Sequence, residues 1–129
     1  MSIEAEEVIA PRSLLVVDDD AFFAPVLCRL LRTRGFQARH AVCTAEAEAA
    51  VREAEFSAIL LDIVLGPENG WETLARIHRL SRAPVLMMSG GDCDSDMNRD
   101  AQLLGAQGVI AKPFEIEELL DRLTKLWAR

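Results

Sequence analysis

The sequence predicts an α/β fold in which a doubly wound parallel sheet of five strands is covered on both faces by five helices. Short apolar segments alternate strictly with longer amphipathic ones along the 129 residues, a length typical of one domain. Most of the short segments are uniformly apolar, as expected for parallel strands buried on both faces. Because crossovers between parallel strands are right-handed, the alternation favours a doubly wound sheet with ligands at the carboxyl ends of its strands.

The predicted strands differ in polarity along the chain. Four of them are almost entirely apolar, whereas residues 36–41 alternate apolar with polar side chains, which indicates a half-exposed edge strand. The predicted strands are residues 14–17, 36–41, 58–61, 84–88 and 108–111.

Three apolar stripes at helical spacing separate these strands, and we interpret them as core-packing faces. They are Phe23, Leu27, Leu30 and Leu31; Trp71, Leu74 and Ile77; and Ile116, Leu119, Leu120, Leu123 and Leu126.

Capping residues mark where several helices begin and end. Thr44 is a candidate N-cap for the Ala-rich helix, and Asn69 for the next one, with Glu72 three residues later. Gly35 is expected to end the first helix, and Pro25 must lie in its first turn or bend it.

Composition limits the classes of function. The net charge is −7 and the basic residues are dispersed, which argues against direct binding of nucleic acid. The apolar runs are too short to span a membrane, and residues 1–12 resemble a loose N-terminal extension without a secretory signal, followed by a domain over residues 13–129. The three scattered cysteines, Cys28, Cys43 and Cys93, favour reduced thiols and a cytoplasmic location.

Residues with reactive or charged side chains follow four of the predicted strands. The segments are Asp18-Asp19-Asp20, Asp62, Ser89-Gly90-Gly91 and Lys112-Pro113-Phe114. Clustered carboxylates repel one another unless a cation lies among them, and oxygen ligands without His or Cys suit Mg²⁺. A carboxylate can also accept a phosphoryl group, whose oxygens a metal, an ammonium and a hydroxyl would stabilise. Each residue also has an ordinary structural interpretation, and Asp20 is expected to cap a helix.

In this order and spacing the motifs resemble the receiver domain of two-component response regulators, of the chemotaxis-regulator type, across residues 13–129. The matching segments are Val17-Asp18-Asp19, Leu61-Asp62-Ile63 with Gly70, Met88-Ser89-Gly90, and Gly105-Ala106 leading to Lys112-Pro113-Phe114. The resemblance implies a flavodoxin-like sheet of strand order 2-1-3-4-5.

The resemblance also implies the chemistry of the site. Asp62 would be the phosphoacceptor, receiving its phosphoryl group from a histidine kinase or a histidine phosphotransfer protein, with no catalysis beyond its own phosphorylation and dephosphorylation. Mg²⁺ would be held by Asp19, Asp62 and the backbone carbonyl of Val64, with Asp18 acting through a water. Ser89 would hydrogen-bond the phosphoryl group, and Lys112 would pair with it.

The chain departs from the family pattern at positions that control readout and lifetime. Val109 occupies the place of the aromatic residue that usually moves with the hydroxyl residue, Ser89, and a β-branched valine has few rotamers to exchange. We therefore expect the switch to depend on backbone shifts in the Gly90-Gly91-Asp92 loop. The order Gly66-Pro67 also reverses the usual Pro-Gly, which could reshape the rim where a kinase docks. Because Val64 and Gly91 offer no polar group to orient water, loss of phosphate should be slow.

Two other classes of function compete with this hypothesis. One is a protein-binding module that works without phosphorylation. The other is a haloacid-dehalogenase-type phosphohydrolase, for which Asp18 and Asp20 would supply an Asp-x-Asp motif, although the chain lacks a later acidic pair and Asp62 would have no role.

Overall fold

The computed structural model, which describes residues 12–91 and 94–128, contains a five-stranded parallel sheet in the order β2-β1-β3-β6-β7. The strands are β1 (Ser13–Val17), β2 (Gln37–Ala41), β3 (Ala58–Asp62), β4 (Val64–Leu65), β5 (Glu68–Asn69), β6 (Val85–Ser89) and β7 (Gly108–Ala111). The helices are α1 (Phe23–Thr33), α2 (Thr44–Glu53), α3 (Gly70–His78), α4 (Ser95–Leu103) and α5 (Ile116–Trp127).

The strand order confirms the predicted topology, since the five sheet strands lie in the order 2-1-3-4-5 when numbered along the chain. Every residue of β3 and β6 is buried, which explains why both segments are uniformly apolar up to their polar last residues. As predicted, β2 is a half-exposed edge strand, and among the described strands it pairs with β1 alone.

The sheet separates two layers of core, because successive residues of a strand point to opposite faces. Leu15 and Val17 of β1 pack on the side of α2, α3 and α4, whereas Leu14 and Val16 pack on the side of α1 and α5. The doubly wound arrangement is thereby confirmed. Leu30 departs from its predicted role, because its side chain is 43% exposed at the edge of the α1 stripe.

Most of the predicted helix ends are confirmed. Gly35 follows α1 at φ +90°, where Phe36 N–H donates to Leu31 O at 3.1 Å. Pro25 lies in the first turn of α1, and Asn69 Oδ1 accepts a hydrogen bond from Trp71 N–H at the start of α3.

The predicted cap at Thr44 is wrong, because α2 begins at Thr44 itself and Cys43 occupies the N-cap position. The hydroxyl of Thr44 contacts Glu68 and Thr73 instead, so tertiary partners outcompete the local cap. Glu46 Oε1 supplies a local bond, accepting from Val42 N–H at 2.9 Å.

Some predictions lie partly outside the described residues. They concern the extension at residues 1–11, the loop residue Asp92 and the thiol of Cys93. Cys28 and Cys43 are free cysteines, the first buried and the second partly exposed. Within the part of the chain that the structure describes, no helix has the length and apolarity needed to cross a membrane.

Candidate functional site

Side chains from several strand ends meet at the carboxyl edge of the sheet, as parallel strands require. Lys112, which follows β7, lies between two carboxylates: its Nζ is 2.9 Å from Asp18 Oδ2 and 2.8 Å from Asp62 Oδ2. Asp18 is fully buried and Asp62 is 5% exposed. The structure therefore brings together an acid after β1, an acid at the end of β3 and the lysine after β7.

The carboxylates of Asp18, Asp19 and Asp62 form a compact cluster, with one oxygen from each residue lying within 4.8 Å of the others. Two of these groups are buried, while Asp19 is exposed at the rim. Burial raises the pKa of Asp18, and the charge of Asp62 adds to the rise, although hydrogen bonds from Asp20 N–H and Lys112 oppose it. Three carboxylates carry more negative charge than Lys112 alone neutralises, and their hard oxygen donors suit a divalent cation such as Mg²⁺ or Ca²⁺.

Lys112 is held in its charged form. Burial alone would lower its pKa, but the hydrogen bonds and charges of Asp62 and Asp18 outweigh that effect and raise it. Its Nζ also lies 4.7 Å from the ring centroid of Phe23, a cation–π distance. Phe23 in turn meets Phe114 edge-to-face at 5.8 Å. Phe23 was predicted only as a core residue, so its contact with the Lys112 ammonium was not predicted from the sequence.

The side chain of Asp62 accepts one hydrogen bond at each oxygen. Val64 N–H donates to Oδ1 at 3.0 Å, and Lys112 occupies Oδ2. Val64 was predicted to contribute its carbonyl to a metal; the contact observed is made by its amide, and its side chain is 66% exposed. Both Asp62 oxygens keep lone pairs for a further partner.

Gly70 packs against the main chain of Asp62. A Cβ at Gly70 would lie 2.1 Å from Asp62 O and 2.7 Å from Ile63 O. Gly70 N–H donates to Ile63 O at 2.8 Å, so the start of α3 is bonded to the backbone that follows Asp62. Only glycine leaves room for this approach.

The short hairpin of β4 and β5 supports the acidic cluster from the side of α2. Gly66, at its turn, has φ +60°, and a Cβ there would lie 3.2 Å from Asp19 Oδ2. Glu68 Oε1 accepts from Thr44 N–H at 2.9 Å and from Thr44 Oγ1 at 2.8 Å, which lowers the pKa of Glu68. Thr44 Oγ1 also lies 2.7 Å from Thr73 Oγ1. None of these contacts was predicted, because two-residue strands carry no periodic signal.

The hydroxyl of Ser89 is turned toward its own loop. Among the described residues, its Oγ accepts from Gly91 N–H at 3.2 Å and donates to Gly91 O at 3.3 Å. The residue is 6% exposed and pairs in register with Ala111 of β7. Just beyond that pair, Lys112 N–H donates to Ser89 O at 2.7 Å. The structure thus places Ser89 beside the site, and among the described residues its hydroxyl is bonded to Gly91 and not to the carboxylates.

Val109 is buried in β7 and is bonded to α4. Its side chain is 1% exposed, and its N–H donates to Asn98 Oδ1 at 2.9 Å. Asn98 was not identified from sequence, because a polar residue on an exposed helix gives no sign of reaching a neighbouring strand. This contact links the position of the expected switch residue to α4.

Asp20 lies outside the acidic cluster. Its Oδ1 accepts from the amides of Phe22 and Phe23, both at 2.9 Å, as expected for a residue that caps a helix. That role removes Asp20 from the Asp-x-Asp pair that a dehalogenase-type site would need.

Residues 14–124 match the response regulator receiver domain, which covers most of the chain. The chain belongs to this family. The match agrees with the acids after β1, the acid ending β3 and the lysine after β7, all found at one edge of the receiver domain's sheet.

Relatives of this receiver domain include longer regulatory proteins. It is 35% identical over 118 residues to a transcriptional regulatory protein CpxR homolog of Haemophilus influenzae, covering 90% of this chain and 50% of that protein. It is 34% identical over 121 residues to the transcriptional regulatory protein GltR of Pseudomonas aeruginosa, covering 92% and 50%. The receiver domain therefore spans about half the length of these two relatives.

Solved structures share the fold of this receiver domain. A response regulator from Burkholderia pseudomallei, with a phosphorylated aspartic acid, calcium ion and citrate, aligns at a TM-score of 0.79 and 29% identity over 91% of this chain and 71% of that one. A CheY-like receiver domain from Methanospirillum hungatei aligns at a TM-score of 0.79 and 26% identity over 89% and 92%.

Proposed function

We propose that this receiver domain accepts a phosphoryl group on Asp62 in a Mg²⁺-dependent reaction and so switches the binding of a partner protein. The observation that carries the proposal is the placement of Asp62, with Lys112 Nζ at 2.8 Å and the acids Asp18 and Asp19 beside it. A buried carboxylate between a lysine and a cation-binding cluster is suited to receive a phosphoryl group and to neutralise its charge.

The reaction forms one bond and breaks another. A carboxylate oxygen of Asp62 attacks phosphorus, a new P–O bond forms, and the P–N bond to the imidazole of a phosphohistidine breaks. The imidazole nitrogen keeps the electron pair and takes up a proton. Lys112, already bonded to Asp62 Oδ2, is positioned to follow the charge onto a phosphoryl oxygen. The amide of Val64 keeps Asp62 oriented through Oδ1.

The metal of this proposal is Mg²⁺, held by Asp19 and Asp62 with the Val64 carbonyl, and by Asp18 through water. When bound, it would neutralise negative charge on the oxygens of the transferring group. The cluster of three carboxylates and the exposed position of Asp19 at its rim support a hydrated hard cation.

The phosphoryl donor in this proposal is a histidine kinase or histidine phosphotransfer protein, and the setting is cytoplasmic. Residues 13–129 would act as the receiver unit, after an extension at residues 1–12. The names of the longer relatives support an output in regulation. With a net charge of −7, the domain itself would bind neither nucleic acid nor membrane. It would catalyse only its own phosphorylation and dephosphorylation.

Acetyl phosphate labelling tests the acceptor. We expect Mg²⁺-dependent addition of one phosphoryl group, abolished by Asp62→Asn and by chelation, and located by mass spectrometry after borohydride reduction. Asp121→Asn is a matched control, because Asp121 is an exposed acid paired with Lys125 on α5. Phosphate on Asp18 would instead support the phosphohydrolase. Failure of a folded, Mg²⁺-bound protein to accept phosphate from acetyl phosphate or a panel of kinases would support the phosphorylation-independent module.

The readout of the phosphate would pass through the loop after β6. The bonds between Ser89 Oγ and Gly91 must break if the hydroxyl is to reach a phosphoryl oxygen, which would move that loop. The bond from Val109 N–H to Asn98 could report the change to α4 without an aromatic side chain. Amide chemical shifts measured with and without beryllofluoride test this route. Silence of Gly90, Gly91 and α4 would contradict it.

A further inference from the structure

A groove between α3 and α4 combines exposed apolar side chains with acidic ones. Leu103 is 78% exposed and Leu104 is 55% exposed at the end of α4, although large apolar side chains are usually covered. They share the groove, of about 570 Å³, with the partly buried Trp71 and Met97. Single exposed leucines are ordinary, but an adjacent pair in line with an aromatic and a methionine forms a patch of the kind used for binding.

The described charged residues that line the groove are all acidic. Asp94, Asp96 and Asp100 also line it, and no lysine or arginine does so among the residues that the structure describes. Asp96 pairs with the exposed Arg99 at 3.1 Å, and Asp94 Oδ1 caps α4 through Met97 N–H. Within residues 12–91 and 94–128, no ion pair occupies Asp94 or Asp100. The groove therefore presents an apolar floor with an acidic rim.

We propose that this groove binds a basic amphipathic helix of a partner protein, with apolar side chains against Leu103, Leu104 and Trp71 and lysine or arginine beside Asp100. A helix binds such a groove by packing apolar side chains three and four residues apart into it, and charged residues flanking that helix face give specificity for the groove. Charge complementarity favours a basic partner as the occupant. A second copy of this chain is disfavoured because it carries a net charge of −7. A small molecule is disfavoured because an open groove with exposed carboxylates at its rim lacks the convergent, buried polar groups typical of a small-molecule site.

The groove lies on the side of the sheet opposite α1, since α3 and α4 contribute to one core layer and α1 to the other. Leu30 of α1 is 43% exposed and so provides a matched apolar control on the opposite face. Asp121 of α5, paired with Lys125, provides a charge control away from the groove. The proposal does not depend on phosphorylation of Asp62.

Fluorescence anisotropy with designed peptides tests the groove. The probe is an 18-residue helical peptide with leucines along one face and lysines on its flanks, and its twin carries glutamates instead of the lysines. Both are titrated with the full chain in EDTA, without a phosphodonor and at physiological salt, where weak long-range attraction is screened. We expect the lysine peptide to bind at least tenfold more tightly than its twin.

Variants locate the binding. The double variant Leu103→Ser with Leu104→Ser should bind the lysine peptide with at least tenfold lower affinity. Leu30→Ser should change that affinity less than twofold. Asp100→Lys should lower the affinity for the lysine peptide several-fold and raise the affinity for the glutamate peptide. Asp121→Lys should change neither affinity. Circular dichroism checks that each variant is folded, which is expected since all these side chains are exposed.

The possible results either support the groove or overturn it. Amide shifts confined to α3 and α4 on peptide addition would support it. Absence of binding, equal binding of the two peptides, or equal effects of Asp100→Lys and Asp121→Lys would overturn it. A concentration-dependent dimer in light scattering, lost in the Leu103→Ser and Leu104→Ser variant, would also overturn it, because the occupant would then be a second copy.

Discussion

Replacing Gly70 with alanine should damage both the stability and the reactivity of the domain. The new Cβ would lie 2.1 Å from Asp62 O, 2.7 Å from Ile63 O and 2.8 Å from Ile63 Cα, all main-chain atoms. Ordinary contacts of a Cβ begin near 3.4 Å, so the backbone of the acceptor strand or of α3 must move by more than 1 Å. No flexible side chain is available to absorb the clash.

The magnitude follows from overpacking a buried site. Adding a methyl group to a well-packed site typically lowers the free energy of unfolding by about 1–3 kcal/mol. Gly70→Ala should reach or exceed the upper end of this range, because main-chain atoms must move to make room for the Cβ. A loss of about 3 kcal/mol lowers the Tm of a domain of this size by roughly 10 °C. A displacement of about 1 Å at Asp62 could slow phosphoryl transfer by as much as ~100-fold.

Urea denaturation and acetyl phosphate labelling measure these two effects separately. Gly91→Ala is the matched control for stability, because its Cβ would meet none of the described residues within 4 Å and its φ is not positive. That variant should be unchanged or stabilised by up to about 1 kcal/mol, since alanine restricts the unfolded chain. If Gly70→Ala unfolds within about 0.5 kcal/mol of the parent chain and labels normally, the steric argument is refuted.

Three further substitutions test the surroundings of the site. Lys112→Met should slow acetyl phosphate labelling by about 100-fold or more. It should also raise the affinity for Mg²⁺ roughly fivefold, because removing a positive charge within about 4 Å of the cation is worth about 1 kcal/mol even in water. Weaker Mg²⁺ binding would contradict this. Thr44→Val removes the hydroxyl contacts to Glu68 and to the buried Thr73, and it should lower the free energy of unfolding by about 1–3 kcal/mol. The exposed Thr124→Val should change that free energy by less than about 0.5 kcal/mol, and equal losses in the two variants would show that the Thr44 contacts are not responsible. Gly91→Gln places an amide near the site and should accelerate dephosphorylation, measured as loss of label after the donor is removed. An unchanged rate would contradict the prediction that the parent chain loses its phosphate slowly because it lacks such a group.

The sheet and its acidic edge were predictable because their signals are periodic or local. Uniform apolarity identified β3 and β6, and the acids and lysine followed directly from strand ends that a parallel sheet must bring together. The capping roles of Asn69 and Asp20 were predictable for the same reason, since each side chain bonds to an amide within three residues.

What the sequence did not reveal depends on contacts between distant segments. Thr44 was predicted to cap its own helix, but its hydroxyl prefers Glu68 and Thr73, which lie 24 and 29 residues away. Asn98 similarly reaches the β7 amide of Val109 from another element. Such choices depend on which partners the fold places nearby, and neither composition nor spacing encodes that information locally.

The close approach of Gly70 to Asp62 has a consequence for energetic coupling. Gly70 touches the carbonyl of Asp62, and the next residue, Trp71, lines the acidic groove, so acceptor and groove are joined through adjacent peptide units. If beryllofluoride at Asp62 changes the affinity of the groove for a helix by some factor, thermodynamic reciprocity requires the helix to change beryllofluoride affinity by the same factor. A partner bound in the groove would then influence how readily the acceptor is occupied, and the domain would transmit information in both directions.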